Sequence, residues 1–113
     1  MITRLRKDQI VRVPSAERKY GIDELRIYAY IDGKDLNVIG EVIADYILND
    51  FSLTCTVYDQ EGDMVESLEN YTYGMWYSTR MIKEEVFFNG FPFEFIVTLD
   101  EGVEVSKIRI VPD

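Results

Sequence analysis

Apolar and polar residues alternate along several short stretches of this chain, and the clearest central example is residues 51–58. The apolar phase of this stretch consists of Phe51, Leu53, Cys55 and Val57. Alternation with a period of two is typical of a half-buried β-strand. Gly62 lies in the acidic run Asp59–Asp63 and supplies the permissive backbone of a turn. Met64–Leu68 then forms the returning strand. The pattern therefore predicts a β-hairpin at the centre of the chain.

Two further stretches alternate equally well, and each is bordered by turn residues. Residues 23–31 precede Asp32-Gly33, and residues 91–99 follow Asn89-Gly90. Both dipeptides are typical of tight turns between antiparallel strands. The predicted inward positions are Leu25, Ile27, Ala29 and Ile31 in the first stretch, and Phe91, Phe93, Phe95, Val97 and Leu99 in the second. We therefore expect a strand in each.

Two segments fit both a strand and a helix. In Leu36–Leu48 a strand places Leu36, Val38, Gly40, Val42, Ala44 and Tyr46 on one face, whereas a helix groups Val42, Ile43, Tyr46 and Ile47. Five β-branched residues and the interruption at Gly40 favour the strand. Ser78–Val86 is ambiguous in the same way, because Ser78 is a suitable helix cap. The strand interpretation is adopted for both segments.

The two ends of the chain show weaker patterns. Ile10–Pro14 predicts a short edge strand, since proline cannot donate to a ladder, and Ser15–Gly21 reads as a polar turn. In the last segment Val103 and Val105 fall on one phase, whereas Ile108 and Ile110 fall on the other. A bulge near Ser106-Lys107 would allow all four to point inward.

About seven short strands, separated by turns roughly ten residues apart, predict an all-β fold, an antiparallel β-sandwich. The two best strands, residues 51–58 and 91–99, are expected to face each other across the interior. Their large inward residues include Phe51, Leu53, Phe93, Phe95 and Leu99.

The chain length and the charge distribution set the domain organisation. A chain of 113 residues, 47% hydrophobic and 29% charged, is expected to form one globular domain. Residues 1–21 form a basic N-terminal arm that carries the short edge strand, and residues 22–113 form the sandwich. The net charge is -9, although residues 1–19 hold six basic side chains against two acidic ones. An acidic body repels phosphate backbones, so no nucleic-acid partner is expected.

No stretch has the apolar length of a membrane helix, and the N-terminus has no apolar run of signal-peptide length. We therefore expect no membrane span and take a cytoplasmic location as the default.

Part of this pattern resembles the bacterial FxLYD-type modules, which are immunoglobulin-like sandwiches. The family centres on Phe, any residue, Leu, Tyr and Asp; here Tyr58 and Asp59 match, while Cys55 and Val57 replace the Phe and the Leu. The resemblance covers approximately residues 36–111 and also includes Gly40-Glu41-Val42, Gly62, Val65, Phe93, Phe95 and Lys107-Ile108-Arg109-Ile110. It implies an immunoglobulin-like antiparallel β-sandwich. Family members are typically exported or cell-surface proteins of unassigned function, so the resemblance implies a fold and no activity.

The residue types needed for common catalysis are scarce. The chain has no histidine and one cysteine, which excludes a serine or cysteine triad with histidine and leaves no ligand set for zinc. Asp59, Glu61 and Asp63 have the first three spacings of a calcium loop, but Met64 stands where that loop needs glycine. We therefore expect a protein that is not an enzyme and that uses no cofactor or metal.

The best candidate for a functional surface is a cluster of aromatic residues. Its members are Tyr71, Tyr73, Trp76 and Tyr77. Exposed aromatic rings bind proteins and stack on sugars, whereas buried ones would pack between the sheets, and both readings remain open. Outward-facing Tyr28, Tyr30 and Tyr58 would extend the surface if their strands share one sheet.

Three hypotheses follow from these observations. The first is a protein-binding β-sandwich that uses the aromatic cluster as its contact surface. The second is carbohydrate binding by the same cluster, and the third is an acidic inhibitor or immunity-type protein that blocks a basic target, based on the net charge.

Overall fold

The computed structural model describes residues 2–44, 51–70 and 91–112, and for residues 66–70 and 91 it describes the backbone. This part of the chain contains eight strands: β1 (Ile2–Arg4), β2 (Ile10–Arg12), β3 (Glu24–Asp32), β4 (Asp35–Ile43), β5 (Leu53–Tyr58), β6 (Met64–Asn70), β7 (Phe91–Thr98) and β8 (Lys107–Pro112). Within the same ranges, a 3-10 turn spans Lys7–Gln9 and a short helix, α1, spans Pro14–Lys19. The all-β prediction is confirmed.

The strands form two four-stranded sheets. Sheet A has the order β1-β3-β4-β7, and all its neighbours are antiparallel. Sheet B has the order β2-β8-β5-β6, in which β2 and β8 are parallel and the other pairs are antiparallel. The hairpins β3–β4 and β5–β6 therefore lie in different sheets. The N-terminal segment contributes one short strand to each sheet.

The hairpin β3–β4 forms as the alternation predicts. Gly33 has a φ of +64°, a conformation that suits glycine, and it places Asp32 opposite Asp35 at the end of the ladder. The strand interpretation of the segment that begins at Leu36 is confirmed through Ile43. Ser78–Val86 lies outside the described residues.

Both sheets contribute to one hydrophobic core. Five of the large residues expected to face inward are buried: Phe51, Leu53, Phe93, Phe95 and Leu99. Leu53 belongs to sheet B, whereas Phe93 and Phe95 belong to sheet A, so these side chains meet between the layers. Complete burial of a side chain of this size is worth about 1.5 to 3 kcal/mol, which makes the two strands a major source of stability.

The polar turn expected at Ser15–Gly21 is wrong, because most of that segment is helix α1. Pro14 occupies the first turn, where its missing N–H has no helical partner to lose. Glu17 is buried and accepts hydrogen bonds from Arg12 Nε at 3.1 Å and from Arg12 Nη2 at 2.5 Å. This ion pair connects α1 to β2. The pKa of Arg12 is raised above its ordinary value, and the hydrogen bond to Glu17 is the largest cause. The alternation of apolar residues did not show this tertiary contact.

The expected bulge near Ser106-Lys107 is also wrong. The last strand begins only at Lys107, while Val103 and Val105 pack half-buried against the core without joining a sheet. Ser106 holds this segment in place by donating its N–H and its hydroxyl to the carbonyl oxygen of Tyr58, at 2.9 and 3.3 Å. A register shift does occur, but it lies between β5 and β6 at Val57 and Tyr58.

Candidate functional site

The aromatic cluster predicted from the sequence, Tyr71, Tyr73, Trp76 and Tyr77, lies outside the described residues. Its role as a binding surface stays a prediction. The three other tyrosines do not form one surface, because Tyr28 and Tyr30 lie in sheet A whereas Tyr58 lies in sheet B. The Tyr58 ring instead packs beneath the ammonium group of Lys107, whose Nζ is 4.9 Å from the ring centroid.

The outward surface of sheet A carries an exposed apolar patch on its central strands. We call Tyr28, Ile39 and Ile96 the outer apolar patch; they are 50%, 37% and 54% exposed. Tyr28 lies directly opposite Ile39 in the β3–β4 ladder, and Ile96 is diagonal to Ile39 because it faces Asn37 in the β4–β7 ladder. Side chains in such positions are neighbours on one face of a sheet. The three residues therefore form a continuous surface.

Alternation also explains why the outer apolar patch is exposed. Ile39 and Ile96 occupy the polar phase of strands whose opposite phase fills the core with Val38 and Val97. In the sequence, the isoleucines at these outward positions are the signal for the patch, beside the outward tyrosine Tyr28. A shallow depression of about 560 Å³ adjoins the patch, between Tyr28 and Pro92.

Charged groups surround the outer apolar patch. Arg26 forms ion pairs with Glu24 at 3.3 Å and with Glu41 at 3.2 Å, and the hydrogen bond to Glu24 is the main reason that the pKa of Arg26 is raised. The Arg4 guanidinium lies over the Tyr28 ring, with Cζ 5.8 Å from the ring centroid. An apolar centre with a charged rim is the usual composition of a protein contact surface.

A second concave surface lies at the edge of β3, and we call it the N-terminal groove. It has a volume of about 920 Å³. One wall is the N-terminal segment, including Arg4–Lys7, Ile10 and Arg12, and the other wall is Glu24–Ala29 of β3. The groove exists because the chain leaves sheet A after Arg4 and crosses to sheet B, so β1 covers only the far end of β3.

Cys55 and Asp59 both have structural roles. Burial raises the pKa of the Cys55 thiol to about 12, so this side chain is a protonated core residue at neutral pH. The Asp59 carboxylate accepts the backbone N–H groups of Glu61 and Asp63 at 2.9 and 3.0 Å and so shapes the β5–β6 turn. Within the described ranges, no three Asp, Glu, Cys or His side chains are grouped in a way that would hold a metal ion.

These features define an all-β protein with two packed sheets, whose described residues include an exposed apolar patch and a groove. No family model matches the chain, and no curated protein or solved structure is significantly similar to it. Of the helices described, none has the length and apolar character that crossing a bilayer would require.

Proposed function

We propose that this protein is a non-catalytic β-sandwich that acts by binding another protein, with the outer apolar patch as a contact surface. The observation that carries the proposal is the exposure of Tyr28, Ile39 and Ile96 side by side on sheet A. Large apolar side chains that are contiguous and exposed are typical of interaction sites. The aromatic cluster Tyr71–Tyr77 is the second proposed part of the contact surface.

The strand pairing supports an immunoglobulin-like version of the sandwich, as the resemblance to FxLYD-type modules implies. Two consecutive hairpins occupy different sheets, and β7 and β8 then return to pair with β4 and β5. Such alternation between layers is the connectivity of Greek-key sandwiches. Domains of this architecture commonly present a sheet face to a partner, which agrees with the position of the patch.

The test of the outer apolar patch compares two substitutions of equal charge on different sheets. Ile96→Glu places a carboxylate in the patch, and Met64→Glu places one at a 65% exposed position of sheet B. We expect each to change the free energy of unfolding by less than about 0.5 kcal/mol, because both side chains are mostly in water. Each protein is used to capture partners from an extract of the native host. We expect partners that wild type captures to be lost with Ile96→Glu and retained with Met64→Glu.

The comparison of these two variants decides whether the outer apolar patch is responsible for binding. If Ile96→Glu and Met64→Glu capture the same proteins in the same amounts as wild type, the outer apolar patch is not a contact surface. If both variants lose the partner equally, added negative charge explains the loss and the proposal for this surface is also wrong.

Carbohydrate binding by the aromatic cluster is the alternative from a different class. It is supported by one tryptophan and three tyrosines within seven residues. Because Trp76 is the only tryptophan, sugar binding at the cluster would change the intrinsic fluorescence of the protein. Titration with a panel of oligosaccharides tests this, and an unchanged emission spectrum with every sugar would contradict it.

The acidic inhibitor hypothesis rests on the net charge of -9. It requires a basic target and a strong dependence of affinity on salt, since exposed charges are screened at high ionic strength. Once a partner is known, binding that is insensitive to salt would contradict this hypothesis while leaving the protein-binding proposal intact.

A further inference from the structure

The N-terminal groove runs along β3 from Glu24 to Ala29. At about 3.3 Å per residue, this segment is roughly 17 Å long, which matches about five residues of an extended peptide. The groove is open from Glu24 to Tyr28 because, within the described residues, no strand pairs with this part of β3 on the side away from β4; at its Ala29 end the Ala29 carbonyl oxygen accepts the Leu5 N–H at 2.9 Å. Its shape therefore suits an elongated ligand.

The N-terminal wall supplies most of the positive charge of the groove, in a protein whose net charge is -9. Five cationic side chains line it, Arg4, Arg6, Lys7, Arg12 and Arg26, against one carboxylate, Glu24. Arg12 is bound to the buried Glu17, so it is not free for a ligand. The other four are exposed or nearly so and remain accessible to an anionic ligand.

Two of these four residues form ion pairs, which would compete only weakly with an anionic ligand. Arg6 pairs with Asp8 at 3.1 Å, with both side chains more than 70% exposed, and Arg26 pairs with Glu24 and Glu41 near the surface. Exposed pairs contribute little net free energy, so an incoming carboxylate can replace them at small cost. Lys7 forms no ion pair with any described residue.

The floor of the groove is apolar. Leu5, Leu25 and Ala29 are buried core residues that reach the groove, and Ile10 and Ile27 are half-buried beside them. Because the first three are already buried, the apolar surface that a ligand could still cover belongs to Ile10 and Ile27, and a ligand that is only charged would leave it in contact with water. A ligand that also carries an apolar side chain would cover it and gain the free energy of its burial.

We propose that the N-terminal groove binds an extended acidic peptide of about five residues that presents an apolar side chain between its carboxylates. The cations Arg4, Arg6 and Lys7 follow one another along the N-terminal wall, and Arg26 lies on the β3 wall; an extended series of this kind favours a peptide over a compact anion, which would contact one or two cations. The site uses the edge of β3 and the N-terminal segment; it borders the outer apolar patch at Tyr28, while Ile39 and Ile96 lie outside it. The partner is the acidic segment of another protein.

The experiment measures fluorescence anisotropy of a labelled Glu-Leu-Glu-Leu-Glu peptide with the full chain. The matched control peptides are Gln-Leu-Gln-Leu-Gln and Lys-Leu-Lys-Leu-Lys. We expect saturable binding of the acidic peptide, at least about fivefold tighter than the glutamine peptide, and weaker binding as salt rises from about 50 to about 500 mM. Equal affinity for the three peptides, or no saturable binding of the acidic one, would overturn the proposal.

Two lysine substitutions distinguish the effect of charge in the groove from the effect of the net charge of the protein. Lys7→Glu reverses a charge in the groove, and Lys34→Glu makes the same change to net charge at the β3–β4 turn, away from the groove. Both residues are exposed, so both variants are expected to fold, as circular dichroism will verify. We expect Lys7→Glu to weaken peptide binding about tenfold and Lys34→Glu to weaken it less than about twofold.

Three outcomes would contradict the groove as a peptide site. Equal losses in Lys7→Glu and Lys34→Glu would show that only net charge matters. Competition by free glutamate or inorganic phosphate at concentrations similar to those of the peptide would show a site for compact anions. Concentration-dependent dimerisation that Lys7→Glu abolishes would show that the groove receives a second copy of this chain.

Discussion

Replacing Gly40 with alanine would add a methyl group where β4 lies tightly between its two neighbours in sheet A. Gly40 pairs with Ile27 of β3 and with Phe93 of β7. A Cβ atom at this position would overlap the carbonyl oxygen of Arg26, and it would lie 2.6 Å from Cζ and 2.9 Å from Cε2 of Phe93. The Phe93 ring therefore occupies space that only glycine leaves free.

The expected cost follows from these contacts. The Phe93 ring can rotate or shift, but the Arg26 carbonyl belongs to the backbone of β3, so the two strands must separate locally. Overpacking of this kind usually costs 1 to 3 kcal/mol, and the backbone contact places Gly40→Ala at the upper end, about 3 kcal/mol. That is a large fraction of the stability of a domain of this size.

Urea unfolding followed by circular dichroism measures the effect, and Gly33→Ala is the matched control. A Cβ at Gly33 meets no atom within 4 Å, so the only cost is the positive φ of +64°, about 1 kcal/mol. We expect Gly40→Ala to lower the free energy of unfolding by about 2 kcal/mol more than Gly33→Ala. A loss below about 1 kcal/mol for Gly40→Ala would refute the reasoning and would mean that β3 and β4 separate easily.

Two further predictions concern the core. Phe95→Ala is expected to cost about 3 to 5 kcal/mol in a chemical melt, while Ile96→Ala on the exposed phase of the same strand should cost under about 1 kcal/mol; similar losses would mean that Phe95 is not in the core. The Cys55 thiol has a pKa of about 12 in the folded protein and 9.0 in the unfolded chain, so the unfolded state loses its proton first and stability falls as pH rises from 9.0 to 12. At pH 10 the loss is roughly 1.4 kcal/mol relative to neutral pH, and Cys55→Ala should lack this component; identical slopes for both proteins would contradict it.

The predicted strands are confirmed where alternation and turn residues agree. The segments that contain Leu25, Leu36, Leu53 and Phe93 all form strands with these side chains buried. Each depends on local physics, because a period of two places one set of side chains on one face whatever the neighbouring strand is. The Asp32-Gly33 turn is local for the same reason.

The errors concern segments held by distant partners. Helix α1 depends on the contact between Glu17 and Arg12 of β2, and Val105 is held near the core by the bonds from Ser106 to Tyr58. In both cases one local pattern is compatible with several conformations, and a tertiary contact selects one of them.

The candidate binding surfaces were only partly visible before the fold was known. Tyr28 was identified at an outward position, but Ile39 and Ile96 become its neighbours only through the pairing of β3, β4 and β7. The N-terminal groove could not be inferred, since its walls are separated along the chain and meet only because β1 and β2 join different sheets.

The order of residues alone is enough to predict a β-protein with an acidic body, the positions of most strands and the buried face of each of those strands. These properties follow from alternation, turn chemistry and charge, which act between residues close in the chain. The partners of each strand, the parallel pairing of β2 with β8 and the N-terminal groove became known from the folded structure. Those depend on contacts between distant residues, whose free energy appears only when the two sheets pack together.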